Sequence, residues 1–171
     1  MFNQLGVIGC GLMGGSFALA LKRGGLVKRV IGYSKSPSTT ERAKKLGVID
    51  DAAESALLAV SGSDIVLIAV PVAATEATFR AIRHLVEPGC LFMDVGSTKR
   101  DVVDAARRVL KERVMHFVPA HPIAGKEAGG VHQADAPLYQ GRQVILTPLT
   151  STDPALVHKA IRTSLIVRSN R

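Results

Sequence analysis

Leu5-Gly6-Val7-Ile8-Gly9-Cys10-Gly11-Leu12-Met13-Gly14-Gly15-Ser16 is the stretch on which the reading of the whole chain turns. A short apolar run, Leu5–Ile8, leads straight into a G-x-G-x-x-G turn, and a helical pattern follows over about residues 14–23. The glycines have separate uses at a strand-to-helix turn. Gly9 permits the tight turn, Gly11 lets a pyrophosphate approach the backbone, and Gly14 lets the helix pack closely on the strand. The first turn of the helix adds free N–H donors for an anion. Alone, the motif is a weak signal. With a strand before it, a helix after it and a second strand about twenty residues on, it reads as a dinucleotide site contacted by Gly9, Gly11, Leu12, Met13 and Gly14.

The same alternation continues outward. Strand candidates are Leu5–Ile8, Val30–Tyr33, Ile65–Val70, Leu91–Val95, Met115–Val118 and Val144–Leu146. Helical patterns lie between them, at about residues 14–23, 38–46, 52–60, 73–86, 98–112 and 153–163. In one of these, Val102, Ala106, Val109 and Leu110 form a core-facing stripe. Ser36-Pro37 reads as a helix start, with proline in the first turn, and Gly47 as that helix's end. Strand–helix alternation implies right-handed crossovers and a doubly wound, mostly parallel α/β sheet with helices on both faces. Residues 1–171 read as one domain. Pro119–Pro137 lacks periodicity and is rich in small and polar residues, the kind of long irregular segment that is often functional. The ending Ala160–Arg171 is expected to reach one more strand.

Composition narrows the classes. Of 171 residues 47% are hydrophobic and 21% charged, a globular balance, and with 4% aromatic residues and no Trp the core must be aliphatic, as in covered parallel sheets. The formal charge is +8, but the basic residues are scattered and not interleaved with aromatics, so no nucleic-acid partner is expected. The surplus either attracts anionic ligands or is a solvated face. Cys10 and Cys90 are isolated thiols without metal-ligand spacing, so no disulfide framework and no metal are expected, and a reducing cytoplasm fits. No signal-peptide pattern opens the chain and no apolar run approaches eighteen residues, so no membrane partner is expected either.

At the end of the second strand an NAD site would offer a carboxylate to the ribose, whereas this chain reads Tyr33-Ser34-Lys35-Ser36. Either Ser34, Lys35 and Ser36 receive a 2′-phosphate, which tips the cofactor from NAD towards NADP, or backbone and hydroxyls hold the ribose alone. Val70 and Pro71, after the third strand, complete the cofactor set. Asp50, Asp51 and Glu54 read as helix-start and surface charges.

Two further segments fall at strand carboxyl ends, where open α/β sheets bind their ligands: Asp94-Val95-Gly96-Ser97-Thr98-Lys99 and Ala120-His121-Pro122-Ile123-Ala124-Gly125-Lys126-Glu127. The GxGxxGG start, the D-x-G-S-x-K turn and the H-P-I-A-G-x-E segment, in this order, resemble the prephenate and arogenate dehydrogenase family over essentially the whole chain. The resemblance implies a Rossmann-type domain and oxidative decarboxylation of prephenate or arogenate with NAD or NADP, a step of tyrosine biosynthesis. It also implies His121 as the catalytic proton acceptor. An imidazole suits that role because it exchanges a proton around neutral pH. By the same carry-over Ser97 bonds the substrate hydroxyl or orients His121, and its other reading is a helix N-cap. Glu127 either gates the substrate pocket or caps a turn, and Lys99 either meets a carboxylate or faces solvent. His84, His116, His132 and His158 read as surface or strand-end histidines. The family further implies a helical domain that dimerises, closes the crevice and supplies an arginine for the substrate. That domain is expected to be absent from this chain, so that the homodimer belongs to the full-length form. Two other readings stand beside this one: a β-hydroxyacid-type dehydrogenase with the same glycine turn, and a non-catalytic dinucleotide-binding module.

Overall fold

Val, Ile and Leu alternate sides along the central strands and are buried on both, which requires a covering layer above and below. The computed structural model describes residues 2–96, 98–123, 134 and 136–169. In chain order it contains β1 (Phe2–Ile8), α1 (Leu12–Arg23), β2 (Val27–Tyr33), α2 (Pro37–Lys45), β3 (Asp51–Ala52), α3 (Ala56–Val60) and β4 (Ile65–Ile68). These are followed by α4 (Val72–Ile82), β5 (Leu91–Asp94), α5 (Lys99–Leu110), β6 (Phe117–Val118), β7 (Ala120–Pro122), β8 (Val144–Leu146) and α6 (Pro154–Ser169). Six strands form one sheet in the order β3-β2-β1-β4-β5-β6. Every pairing in it is parallel, with Leu5 beside Val30 and Ile65, and Phe92 beside Phe117. The doubly wound α/β expectation therefore holds.

Period-two alternation divides the core. Leu5, Val7, Ile65, Leu67, Leu91 and Met93 point to the face covered by α1 and α6, where Phe17, Leu21, Leu156 and Val167 meet them. Val66, Ile68 and Phe92 point the other way, onto α3, α4 and α5. Phe79 of α4 meets Phe117 edge-on, with ring centroids 5.4 Å apart. The α5 stripe is buried as read, with Ala105 added to it. Gly47 ends α2 with φ +74°, a left-handed turn that glycine adopts without strain.

Three expectations need correction. Val144–Leu146 is a strand, but it pairs antiparallel with β7 in a separate two-stranded ribbon, setting His121 opposite Ile145. The helix read over about 52–60 begins only at Ala56, because Asp51–Ala52 adds an edge strand beside Ile31–Gly32. The ending is helical to Ser169: Leu156, Ala160, Thr163 and Val167 recur at helical spacing and all are buried, which outweighs the strand preference of Ile166-Val167.

The chain leaves β1 towards β2 on one side, while β4 pairs with β1 on the other and leads away to β5. Between the carboxyl ends of β1 and β4 the winding reverses direction, and a crevice opens there.

Candidate active site

The glycine turn sits at that reversal. Gly9 has φ +96°, and a Cβ there would run into the carbonyl oxygen of Ala69, just beyond β4. Gly14 is as constrained: its Cβ would collide with the Gly9 carbonyl oxygen and lie 3.1 Å from Val7 Cγ1, so α1 can approach β1 only with glycine at this position. Gly11 differs. It is the N-cap of α1, no side chain caps the helix there, and a Cβ would have nothing within 4 Å. Leu12, Met13 and Gly14 form the first turn, whose N–H groups lack intrahelical acceptors. Open space before an uncapped helix N-terminus is what a pyrophosphate needs, so these residues fit the cofactor that the motif implies.

The turn is held from two sides. The Cys10 N–H donates to Ser34 Oγ at 2.9 Å, tying it to the end of β2. Tyr139, fully buried, donates its hydroxyl to the Met13 carbonyl at 2.8 Å and meets Phe17 edge-on. Neither support was read from the sequence. Burial pushes the Cys10 thiol up to about 11 and the Cys90 thiol up to about 12, so both stay protonated.

Beyond β2 a cleft of about 300 Å³ is lined by Tyr33, Ser34, Lys35, Thr40, Glu41 and Glu54, among others. Lys35 is exposed, and Ser36 bonds the Ser38 hydroxyl. Glu41 and Glu54 put carboxylates in this cleft that the sequence did not mark, Glu54 having been read as a surface charge. Asp50 and Asp51 are structural: Asp50 accepts from the Val30 N–H and Lys22, and Asp51 pairs with Arg29. Val70 and Pro71 follow β4 beside Gly9, with Pro71 the N-cap of α4.

Two strands away, Asp94 ends β5 almost fully buried. Its Oδ1 accepts the Ala120 N–H at 2.9 Å, and its Oδ2 accepts the Gly96 N–H at 3.0 Å and the ammonium of Lys99. Lys99 thus meets a carboxylate, that of its own segment. Burial drives the Asp94 carboxyl up and the Lys99 ammonium down, both towards neutrality, and their attraction opposes both shifts.

His121 follows Ala120 on β7, half-buried, and its Nδ1 is buried without a hydrogen-bond partner among the described residues. Ser97, Glu127 and His132 lie outside the described residues. Thr98 is the N-cap of α5. His84 and His158 are exposed, as read, whereas His116 is buried. Among the described residues no group of His, Cys, Asp and Glu can hold a metal ion, and no helix is long and apolar enough to cross a membrane.

The family model described as "Prephenate dehydrogenase, nucleotide-binding domain" matches residues 17–167. The chain belongs to this prephenate dehydrogenase family. It is 43% identical over 160 residues to a prephenate dehydrogenase of Bacillus subtilis, which covers 93% of this chain and 43% of that protein. It is 34% identical over 148 residues to a cyclohexadienyl dehydrogenase of Zymomonas mobilis, covering 86% of this chain and 50% of that one. Among solved structures, prephenate dehydrogenase from Aquifex aeolicus in complex with hydroxyphenyl propionate and NAD+ superposes with a TM-score of 0.89 at 32% identity, covering 98% of this chain and 58% of that one. The prephenate dehydrogenase fold accordingly extends over the described residues, while the chain spans about half the length of these relatives.

Proposed function

We propose that residues 1–171 form the dinucleotide-binding domain of a dehydrogenase that oxidatively decarboxylates prephenate or arogenate. The observation that carries this reading is the convergence of the glycine turn and the His121 strand at one end of a single parallel sheet, in a chain of this family. β1 and β5 flank β4, so Gly9 and Asp94 are two strand spacings apart, about 10 Å, a span that one nicotinamide half covers. Gly9, Gly11, Leu12, Met13 and Gly14 hold the pyrophosphate, and Val70 and Pro71 flank the nicotinamide side.

Bound there, the nicotinamide ring supplies the hydride acceptor. His121 accepts the proton of the substrate's ring hydroxyl as the carbinol hydrogen leaves with its electron pair. Ser97 holds that hydroxyl or the imidazole, and Glu127 stands at the rim of the pocket. The ring carboxylate departs as carbon dioxide, its bonding electrons completing the aromatic ring. The name of the Zymomonas relative, a cyclohexadienyl dehydrogenase, supports either of the two acids as substrate.

Lys35, two residues beyond β2, favours the 2′-phosphate of NADP, and Glu41 and Glu54 in the same cleft oppose it. NADP is the form preferred here. Lys35→Ala then weakens NADP and leaves NAD nearly untouched, and tighter binding of NAD by the unmodified chain rejects the preference. A homodimer is proposed for the full-length form, as the family resemblance implies.

The deciding assay follows the absorbance of reduced nicotinamide with prephenate, arogenate and a 3-hydroxyacid, each with NAD and NADP, on a full-length form. Signal with prephenate or arogenate is expected. Signal confined to the 3-hydroxyacid overturns the assignment.

A further inference from the structure

β7 is three residues long and belongs to the two-stranded ribbon, not to the six-stranded sheet that forms the cofactor crevice. Within the ribbon, the Ile123 N–H reaches the Gln143 carbonyl and the Thr147 N–H reaches the Pro119 carbonyl. These bonds fix β7 to β8, while β7 continues from β6 through Pro119 alone and Ala120 packs in the apolar cluster that holds Leu91 and Met93. Among the described residues, the hydrogen bond from β7 to that sheet ends on Asp94: the Ala120 N–H, one residue before His121, donates to Oδ1. The same carboxylate accepts the Gly96 N–H, next to Ser97, and the ammonium of Lys99 at the start of α5.

This arrangement needs a carboxylate. Both Asp94 oxygens accept from donors, and an amide would turn its own N–H towards one of them. It needs the lysine as well. Asp94 is 2% exposed and the Lys99 side chain 19%, and a buried charge that loses its partner is strongly disfavoured.

We propose that Asp94 is the positioning residue for His121, and that Lys99 acts on the site through Asp94, keeping this acceptor charged, rather than by meeting a carboxylate of the substrate. The inference rests on the reading of His121 as proton acceptor. It separates two uses of a lysine beside an anionic substrate. A lysine that grips substrate acts on KM, whereas one that holds the base in place acts on kcat.

The test compares Asp94→Asn, Lys99→Met and the double variant. Turnover is measured in a full-length form, and NMR is recorded on this chain. Each single variant is expected to lower kcat by about a hundredfold, the order expected when a catalytic group is displaced by an ångström. KM and cofactor Kd should stay within about twofold, because binding is not what is lost. The double variant should be no worse than Asp94→Asn, since the two residues act as one unit. In Asp94→Asn the Ala120 amide should exchange faster and the His121 ring signals should move, while the amides of β2 keep native positions. Lys99→Met with a raised KM and intact kcat overturns the proposal, as does Asp94→Asn with native Ala120 exchange and native His121 signals. If Asp94→Asn does not fold, Lys99→Met decides alone: native His121 signals with native kcat overturn the proposal. Normal turnover in His121→Asn would instead remove the proton-acceptor reading, and the NMR arms would still judge the link from Asp94 to β7.

Discussion

At Gly11 a new side chain would enter open space, whereas at Gly14 it would strike the Gly9 carbonyl oxygen. The two substitutions should therefore fail differently. Gly11 has φ −78° and ψ −154°, a negative-φ conformation at the edge of the extended region, and a Cβ there meets nothing within 4 Å, so Gly11→Val should fold. Its branched side chain would fill the space in front of α1, weakening dinucleotide binding by about 2 kcal/mol, the order of one badly placed group in a fitted site. Calorimetry on the folded variant checks this, and unchanged affinity would remove the site from the glycine turn. Gly14→Ala should instead lower the melting temperature whether or not cofactor is present. The cofactor glycines were legible because each is demanded by local geometry within a few residues. Asp94 was not legible as a hub: Lys99 lies five residues away, but the Ala120 N–H that gives the carboxylate its reach is 26 residues on.

Among the elements, α1 carries the cofactor turn, and its first turn is clamped by the 3-10 segment Ala136–Tyr139. Tyr139→Phe keeps the ring against Phe17 and deletes the hydroxyl that bonds the Met13 carbonyl and lies 3.9 Å from Met13 Sδ. A loss of about 1 kcal/mol in urea unfolding is expected, with the calorimetric affinity for cofactor falling as Met13 loosens. An unchanged midpoint would mean that the hydroxyl contributes nothing to the clamp. The longer strands of the large sheet could be read from sequence because burial on both faces leaves short apolar runs, Ile65–Ile68 most plainly. β7 could not, because Ala-His-Pro has no strand pattern and its partner lies some twenty residues later across an irregular segment. β3 escaped notice for a related reason: two residues at a sheet edge have no periodicity to detect. The ending Ala160–Arg171 reads as reaching one more strand, and only the buried spacing from Leu156 to Val167 shows why the chain stays helical there.

Over the whole molecule, net charge and one buried histidine set the response to solution conditions. The formal +8 surplus favours encounter with a polyanionic cofactor, so cofactor on-rates should fall as salt rises, and a salt-independent stopped-flow rate would contradict this. His116 is buried before β6 with Nδ1 unpaired among the described residues, and burial holds its imidazole below the ordinary 6.5, against the pull of Asp153. A depressed histidine binds its proton less readily folded than unfolded. Stability should therefore fall as pH drops below 6.5, until the folded group itself protonates. His116→Gln should flatten the change in melting temperature between about pH 7.5 and about pH 5.5, and an unaltered slope would assign the acid sensitivity elsewhere. The central claim is that a dinucleotide crevice and a single imidazole cooperate at the carboxyl end of this sheet. It is tested most directly by His121→Asn in a full-length form, with turnover and cofactor affinity measured on the same preparation. Turnover should fall by about two to four powers of ten while cofactor affinity holds, since a general base acts on the transition state and not on dinucleotide binding. Near-normal turnover in that variant would contradict the account.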